Sequence, residues 1–361
     1  MTNDQGQMTA HNPQSAIGNF PNPQSAILMV VTRSLPAVML TLLAVAAPAS
    51  DDLPSREEAA MQRAVARVTP SVVSIETVGG LERVGQVLFG NGPTTGLIVS
   101  SDGYIVSSAF NFAQKPTSIL VELADGSRAA AQLVATDRNR MLVLLKVPVA
   151  GDLPVTECVA EDEMRVGQWS IAVGRAFDHA QPNMSVGIIS ALHRVWDKAI
   201  QTDAKISPAN YGGPLVDIRG RVLGVLSPLS PMGSGEVQGV EWYDSGIGFA
   251  VPLEQILGLL PRLKQGHDLL PGLMGVNLQG RDQYAEAPVI AACRPNSPAY
   301  KAGFKAGDRI VQIDDRAIER QVQLLHEIHR RYAGDKLRVT VARGDERIER
   351  ELELVDHLDP Y

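Results

Sequence analysis

Ala209-Asn210-Tyr211-Gly212-Gly213-Pro214-Leu215 is the stretch on which the fold turns, with Gln201-Thr202-Asp203-Ala204 before it and Gly220-Arg221-Val222-Leu223-Gly224-Val225 after it. Gly212 and Gly213 permit a tight turn and a close approach that a Cβ would obstruct. On either side, from Ser71 to about Leu260, short β-rich runs alternate with Gly, Pro, Asp and Asn turns. Examples are Val72-Val73-Ser74-Ile75-Glu76, Gly96-Leu97-Ile98-Val99-Ser100, Ile119-Leu120-Val121-Glu122-Leu123 and Ser170-Ile171-Ala172-Val173-Gly174. That rhythm predicts an all-β double barrel. Leu253 to Leu263 then reads as a helix leading into a linker.

The Asn-x-Gly-Gly-Pro-Leu frame and its flanks resemble the HtrA/Deg family of trypsin-like, PDZ-containing proteases, and Gly246-Ile247-Gly248-Phe249-Ala250-Val251-Pro252 resembles that family's closing strand. The resemblance implies a serine at the centre of the frame, where Tyr211 stands. The family's histidine follows an Asp-Gly-Tyr-Ile-Val strand. Here that strand is Asp102-Gly103-Tyr104-Ile105-Val106, the next run is Ser107-Ser108-Ala109-Phe110, and Phe110 takes the histidine's place. The family's aspartate lies in a strand that here reads Asp137-Arg138-Asn139-Arg140-Met141-Leu142-Val143-Leu144-Leu145-Lys146, with Met141 at that position. Ala209 replaces the glycine two residues before the nucleophile, where a Cβ disfavours positive φ.

Phenylalanine and methionine do not titrate and tyrosine titrates near ~10, so the three positions carry no acid-base chemistry near neutral pH and are expected to form an apolar cluster. Loss of even one triad member lowers turnover by orders of magnitude. A relocated site would need another base within hydrogen-bond reach of a nucleophile. His11 lies in the leader, His267 in the linker, His326 and His329 in the C-terminal domain and His357 in the tail. Only His179 and His193 fall in the protease-like region, in no motif that would set either beside Tyr211. Both read as surface loop or strand end.

A chain of 361 residues, 45% hydrophobic, is long enough for two or three domains with sizeable cores. The net charge of −7 and the lack of any Lys/Arg block give no footprint for nucleic acid. Cys158 and Cys293 fall in different domains, so no disulfide framework follows and no metal-ligand spacing exists. No metal or cofactor is expected, and both thiols read as buried and inert.

Met29-Val30-Val31-Thr32-Arg33, the apolar run from Leu35 to Ala46 and Ala47-Pro48-Ala49 have the three parts of a secretory signal. The apolar run is shorter than the ~20 residues of a membrane-spanning helix. Cleavage after Ala49 is the reading adopted, with uncleaved retention as an anchor the alternative. Residues 1–28 are polar and carry a duplicated Asn-Pro-Gln-Ser-Ala-Ile, at Asn12 to Ile17 and at Asn22 to Ile27, too short for a structural repeat. Translation from Met29 fits this layout. Ser55 and Glu58 have capping-box spacing and predict a helix through about Arg67. No aromatic residue lies between Ser50 and Glu76, so the family's aromatic trimer clamp does not carry over, and oligomerisation is left open.

After Lys264-Gln265-Gly266-His267-Asp268, the run from Pro295 to Ile310 resembles an HtrA-type PDZ domain: Pro295-Asn296-Ser297-Pro298-Ala299 leads to Ala302-Gly303-Phe304 and Gly307-Asp308-Arg309-Ile310. By the same resemblance Leu273-Met274-Gly275-Val276 is a carboxylate-binding loop whose N–H groups hold a peptide C-terminus while the next strand pairs with the peptide. A helix from Gln321 to Arg331 would wall the groove with Val322, Leu325 and Ile328.

The expected organisation is a polar segment 1–28, a signal peptide 29–49, a helical segment 50–70, a trypsin-like double β-barrel 71–263, a linker 264–270 and a smaller α+β PDZ domain 271–356, the whole mainly β. The implied function is that of an exported HtrA-type pseudoprotease. It would bind peptide C-termini or unfolded segments as scaffold, adaptor or modulator in envelope protein quality control, with mixed assembly with an active paralogue as one route. Two alternatives stand beside it: an active endopeptidase with a relocated site, and a structural envelope protein whose groove is not used.

Overall fold

The computed structural model describes residues 52–79, 93–113, 116–176, 181–230 and 245–358, and the backbone of 83–84 and 87–88. The expected polar segment, the signal peptide with its cleavage site, and His179 lie outside the described residues.

Helix α1 (Leu53–Val68) opens the described chain. The capping box expected at Ser55 is corrected: the helix starts at Leu53, Asp52 stands at the N-cap without a side-chain cap bond, and Pro54 occupies the first turn. Proline's fixed φ suits that turn and its missing N–H costs nothing there. Ser55 is therefore already helical, and Glu58 accepts from Gln62 at 3.0 Å instead.

The first half of the trypsin-like part is a seven-stranded antiparallel sheet. Its strands are β1 (Val72–Val78), β4 (Thr94–Ser100), β5 (Tyr104–Ser108), β6 (Ser118–Glu122), β7 (Arg128–Ala130), β8 (Gln132–Asp137) and β9 (Leu142–Lys146), in the order β7-β6-β1-β4-β5-β9-β8. A two-residue hairpin, β2 (Arg83–Val84) and β3 (Val87–Leu88), precedes β4. The second half is a closed six-stranded barrel, β10-β11-β12-β15-β14-β13. These strands are β10 (Trp169–Gly174), β11 (Asn183–His193), β12 (Ala199–Thr202), β13 (Pro214–Val216), β14 (Val222–Leu226) and β15 (Gly248–Pro252). The expected pair of barrels is thus one closed barrel and one half-barrel sheet among the described residues. β4, β13, β14 and β15 are buried along almost their whole length because both faces are covered, which is why they read as apolar runs rather than alternating ones.

Between β11 and β12, the turn α2 (Arg194–Asp197) is unusual: His193, Val195, Trp196 and Asp197 all have positive φ. Non-glycine residues in that region are strained, by roughly 1–3 kcal/mol each, and persist only where their surroundings hold them. Helix α3 (Leu253–Leu263) follows β15 over the predicted residues.

The C-terminal domain has a two-stranded ribbon, β16 (Val276–Leu278) with β17 (Ile290–Cys293), and a four-stranded sheet ordered β19-β18-β20-β21. The latter comprises β18 (Arg309–Ile313), β19 (Arg316–Ala317), β20 (Lys336–Arg343) and β21 (Glu346–Glu353). Short helix α4 (Pro298–Lys301) is capped by Ser297, whose hydroxyl accepts from the Tyr300 amide at 3.2 Å. Helix α5 (Gln321–His329) ends two residues before the expected Arg331, with Arg330 as its C-cap. Met274, Ile290, Phe304, Ile310 and Leu324 belong to this domain's own core. Tyr332 and Leu269 instead join the core of the half-barrel, so the two domains meet through packed side chains.

Among the described residues no helix is long and apolar enough to cross a membrane, and no group of three His, Cys, Asp or Glu could hold a metal ion. Cys158 and Cys293 are free and partly buried, and burial pushes the Cys158 thiol up to about 11. A thiol held that far above neutral pH is a poor nucleophile.

Candidate functional site

Two places merit the name of site, and they are built in opposite ways. The first is the loop Ser207–Gly213. The amides of Asn210 and Tyr211 both donate to the Ser207 carbonyl, at 3.0 and 3.2 Å, and the Asn210 side chain accepts from the Ser207 amide at 2.7 Å. The loop is thereby closed on itself. It is also pinned to β4, since the Thr95 hydroxyl donates to the Ala209 carbonyl at 2.9 Å and the Thr94 hydroxyl to the Tyr211 carbonyl at 3.0 Å. Gly212 has φ +83°, and a Cβ there would lie 2.3 Å from both the Ser107 hydroxyl and the Thr95 carbonyl, so only glycine fits. In a trypsin-like enzyme the oxyanion is held by the amides of the nucleophile and of the residue two before it. At those positions here, Ala209 has no positive φ and the Tyr211 amide is already bonded to Ser207.

Phe110 sits on the short 3-10 turn Ala109–Phe112 that follows β5; the Ser108 hydroxyl caps this turn by accepting the Phe110 amide at 3.3 Å. Its ring meets that of Tyr211 edge-to-face, with centroids 5.5 Å apart at 73°. That is a favoured aromatic geometry, and Tyr211 is buried in it. Met141 reaches this pair through the backbone: its carbonyl accepts from the Ala109 amide at 2.8 Å and from the Ser227 hydroxyl at 3.2 Å. Its side chain lies with Ala109 and Phe112 in the half-barrel core and lines a cavity of about 490 Å³ there. Phe110, Tyr211 and Met141 are therefore brought together, but as an aromatic pair beside a backbone tie. His193 ends β11, largely exposed, and bonds Asp197 at 2.6 Å.

The second site is the PDZ groove, about 980 Å³ in volume. Leu273, Met274, Gly275 and Val276 form one end, and Leu325 and Ile328 of α5 face them across it. The carbonyls of the loop are held inward: the Met274 carbonyl accepts from Ala299 at 3.1 Å, and that of Gly275 from Arg294 at 2.9 Å and from the Ser297 hydroxyl at 3.3 Å. The amides of Met274 and Gly275 meet no acceptor among the described residues, while that of Leu273 donates to Val355 at 2.8 Å. Gly275 has φ +80°, and a Cβ would sit 2.3 Å from that of Ser297. The Met274 side chain is buried in the domain core and contributes its amide rather than its thioether. Val322 is not on the groove wall; its amide donates to Gln283, and Gln321 and Leu324 line the wall beside Leu325.

Sequence reasoning missed the seam between the domains. Asp137 is buried in the half-barrel and accepts the Tyr332 hydroxyl at 2.5 Å and the amides of Asn139 and Arg140 at 2.9 and 3.1 Å. Burial pushes its carboxyl up, against the opposing pull of Arg140 and of the Tyr332 hydrogen bond. Arg140 also bonds the Tyr332 hydroxyl, and the guanidinium groups of Arg140 and Arg262 lie 5.4 and 5.1 Å from the ring centroid. Nearby, Lys198 donates to the carbonyl and side-chain oxygens of Asn139 at 3.1 and 2.9 Å, and Asn139 donates to the His329 carbonyl at 2.9 Å. Trp196 of the strained turn stacks on His329 at 5.0 Å, and Asp197 faces His326 and Arg330 at 3.5 and 3.6 Å. The one signal in the sequence was Asp137 itself, a carboxylate at the end of β8. Its partner Tyr332 lies 195 residues away and belongs to no motif.

Comparison with known proteins agrees with this architecture. Residues 94–225 match the trypsin-like peptidase domain and residues 272–354 the PDZ domain. Curated relatives named "Probable periplasmic serine endoprotease DegP-like", from Halomonas elongata and Chlamydia muridarum, are 32% and 33% identical over 269 and 270 residues, or 70% and 71% of this chain. The chain spans about half the length of these relatives, 54% and 52%. Among solved structures, the HtrA-type protease AlgW with tripeptide superimposes with a TM-score of 0.65 at 26% identity, covering 83% of this chain and 98% of that one. The serine endoprotease from Yersinia pestis shares the fold, with a TM-score of 0.61 at 23% identity over 82% of this chain and 98% of that one. A trypsin-like half-barrel and barrel, a following PDZ domain and these likenesses in sequence and structure agree: the chain belongs to the HtrA family.

Proposed function

We propose that this HtrA-family member is an exported pseudoprotease that binds the C-termini or unfolded segments of other proteins, as scaffold, adaptor or modulator in envelope protein quality control. The observation that carries the reading is the Phe110–Tyr211 ring pair, which occupies with apolar edges the place where an imidazole would meet a serine hydroxyl. Neither ring can take a proton from a nucleophile near neutral pH. Support comes also from the Tyr211 amide, whose bond to Ser207 competes with any oxyanion. Export rests on the signal-like segment from Met29 to Ala49 and on the periplasmic naming of the relatives. Mixed assembly with an active paralogue is the form of modulation that fits a retained barrel.

Binding follows from backbone chemistry. A peptide carboxylate accepts from the amides of Met274 and Gly275, and the peptide chain adds as a strand along β16 on the side away from β17. Leu325 and Ile328 then cover its last apolar side chain. The test is a pair of measurements on the chain from Ser50 onward. The protein should neither cleave unfolded casein nor react with an organophosphonate serine probe, yet should bind free-acid apolar C-terminal peptides near ~1 μM, about −8 kcal/mol. Time-dependent labelling of a serine that vanishes when that serine is replaced would restore the enzyme reading. Silence across a broad peptide library would leave a structural protein.

A further inference from the structure

The PDZ groove does not end at the PDZ domain. Its wall continues onto the barrel through Arg138, Trp196 and Lys198. The charges along it are one-sided: Arg138 and Lys198 come from the barrel, Arg281 and Arg294 from the PDZ domain, and no aspartate or glutamate lines it among the described residues. The chain as a whole leans the other way, with 40 acidic against 33 basic residues. A cleft lined by one sign of charge within low-dielectric walls focuses its potential on whatever enters.

We propose that this groove is a two-domain site for peptides that carry acidic residues next to an apolar C-terminus, with the barrel supplying part of the cationic wall. This rests on the peptide-binding reading above and adds the ligand's charge and the barrel's share in holding it. Lys198 is the most telling of the four cations. Its ammonium is buried, spends two hydrogen bonds on Asn139 and has no carboxylate within ion-pair distance among the described residues. An ammonium has three donors, so one is left for an incoming carboxylate. A cation already stripped of most of its water attracts an anion more strongly than a solvated one does. Arg281 is exposed, with no side-chain partner among the described residues. Arg138 lies 3.6 Å from Asp268 at the edge of the wall, a loose contact between half-exposed groups that a peptide carboxylate can share. The turn that carries Trp196 explains how a barrel loop holds its place in the groove: its left-handed residues are clamped by the stack on His329 and by the pair from Asp197 to Arg330.

The experiment uses the full chain from Ser50 and two synthetic peptides with the same apolar C-terminal residue, one with three glutamates upstream and one with three glutamines, titrated by calorimetry at low and high salt. The acidic peptide should bind about tenfold tighter at low salt, and the gap should close at high salt. Arg281→Gln, on the surface and far from any buried network, should lower acidic-peptide affinity about threefold and leave the glutamine peptide unchanged. Lys198→Gln should do the same more strongly; since Lys198 is buried, its fold is checked by circular dichroism, and Arg138→Gln serves as the second barrel variant. Equal affinity for the two peptides, or loss confined to the PDZ-domain variant, overturns the barrel-assisted acidic site while leaving peptide binding intact. Failure of both peptides to bind overturns the peptide-binding reading and this inference with it.

Discussion

The loop at Tyr211 and the loop at Gly275 have the same ingredients, a glycine with positive φ and a run of backbone amides, and they use them in opposite directions. At Ser207–Gly213 the amides of Asn210 and Tyr211 turn inward to Ser207, and the side chains above them are aromatic rings. At Leu273–Val276 the carbonyls turn inward, to Ala299, Arg294 and Ser297, and the amides of Met274 and Gly275 meet no acceptor among the described residues. An amide binds an anion only when nothing inside the protein has claimed it. The contrast teaches that the loop's fold is set by glycine geometry and strand pairing, which do not depend on which side chains stand at positions 110, 141 and 211.

The comparison can be broken in several places. The largest effect is expected at the seam. Asp137→Ala leaves Arg140 buried without its carboxylate and removes the acceptor of the Tyr332 hydroxyl, so chemical denaturation should show a loss of about 3–5 kcal/mol. Asp137→Asn, which keeps an acceptor, should lose clearly less. Next comes the open loop: Gly275→Val sets a β-branched side chain at φ +80° against Ser297, and peptide affinity should fall more than tenfold in calorimetry while the barrel stays folded. Amidating the peptide instead of altering the protein should cost about tenfold, in line with ~1.5–3 kcal/mol for a hydrogen bond to a charged group. Equal binding of the acid and the amide would mean that the Met274 and Gly275 amides are not the anion site.

Smaller effects appear on titration. Burial lowers Lys198 to about 8 from an ordinary 10.5. Between those values the unfolded chain holds more protons than the folded one, so this residue's contribution makes stability rise with pH across that window. Lys198→Gln should flatten the rise. Asp197 runs the other way: hydrogen bonds from His326 and then His193 hold it down to about 2, so its contribution is present above 3.8 and is lost as pH falls toward 2. Denaturation midpoints of Asp197→Asn against the parent should differ above pH 4 and converge at the acid end. The smallest expected change is in the closed loop. The triple replacement Phe110→His, Met141→Asp, Tyr211→Ser should yield little or no hydrolysis, since position 211 still spends its amide on Ser207 and Ala209 stays out of the left-handed region.

Much of this was legible in the residues. The strands around Val72, Gly96, Ile119 and Ser170 announce themselves because β-branched runs between turn residues suit a pleated, buried sheet. The occupants of positions 110, 141 and 211 follow from motif register alone. The capping box at Ser55 misled because Pro54 sets the start of the helix earlier than the box does. Val322, half-buried with its amide bonded to Gln283, does not line the groove, whereas Leu325 and Ile328 do.

The sequence by itself determined that the chain is mainly β with a following PDZ domain, and that phenylalanine, methionine and tyrosine stand at positions 110, 141 and 211. These are local properties: turn chemistry, strand periodicity and the identity of single residues. Only the tertiary structure decided that Phe110 and Tyr211 meet edge-to-face while Met141 turns into the half-barrel core, that Tyr332 docks on Asp137, and that barrel residues Arg138 and Lys198 share a wall with the PDZ groove. Such contacts join residues as much as 195 positions apart, and burial, not spacing along the chain, selects which polar groups must find one another.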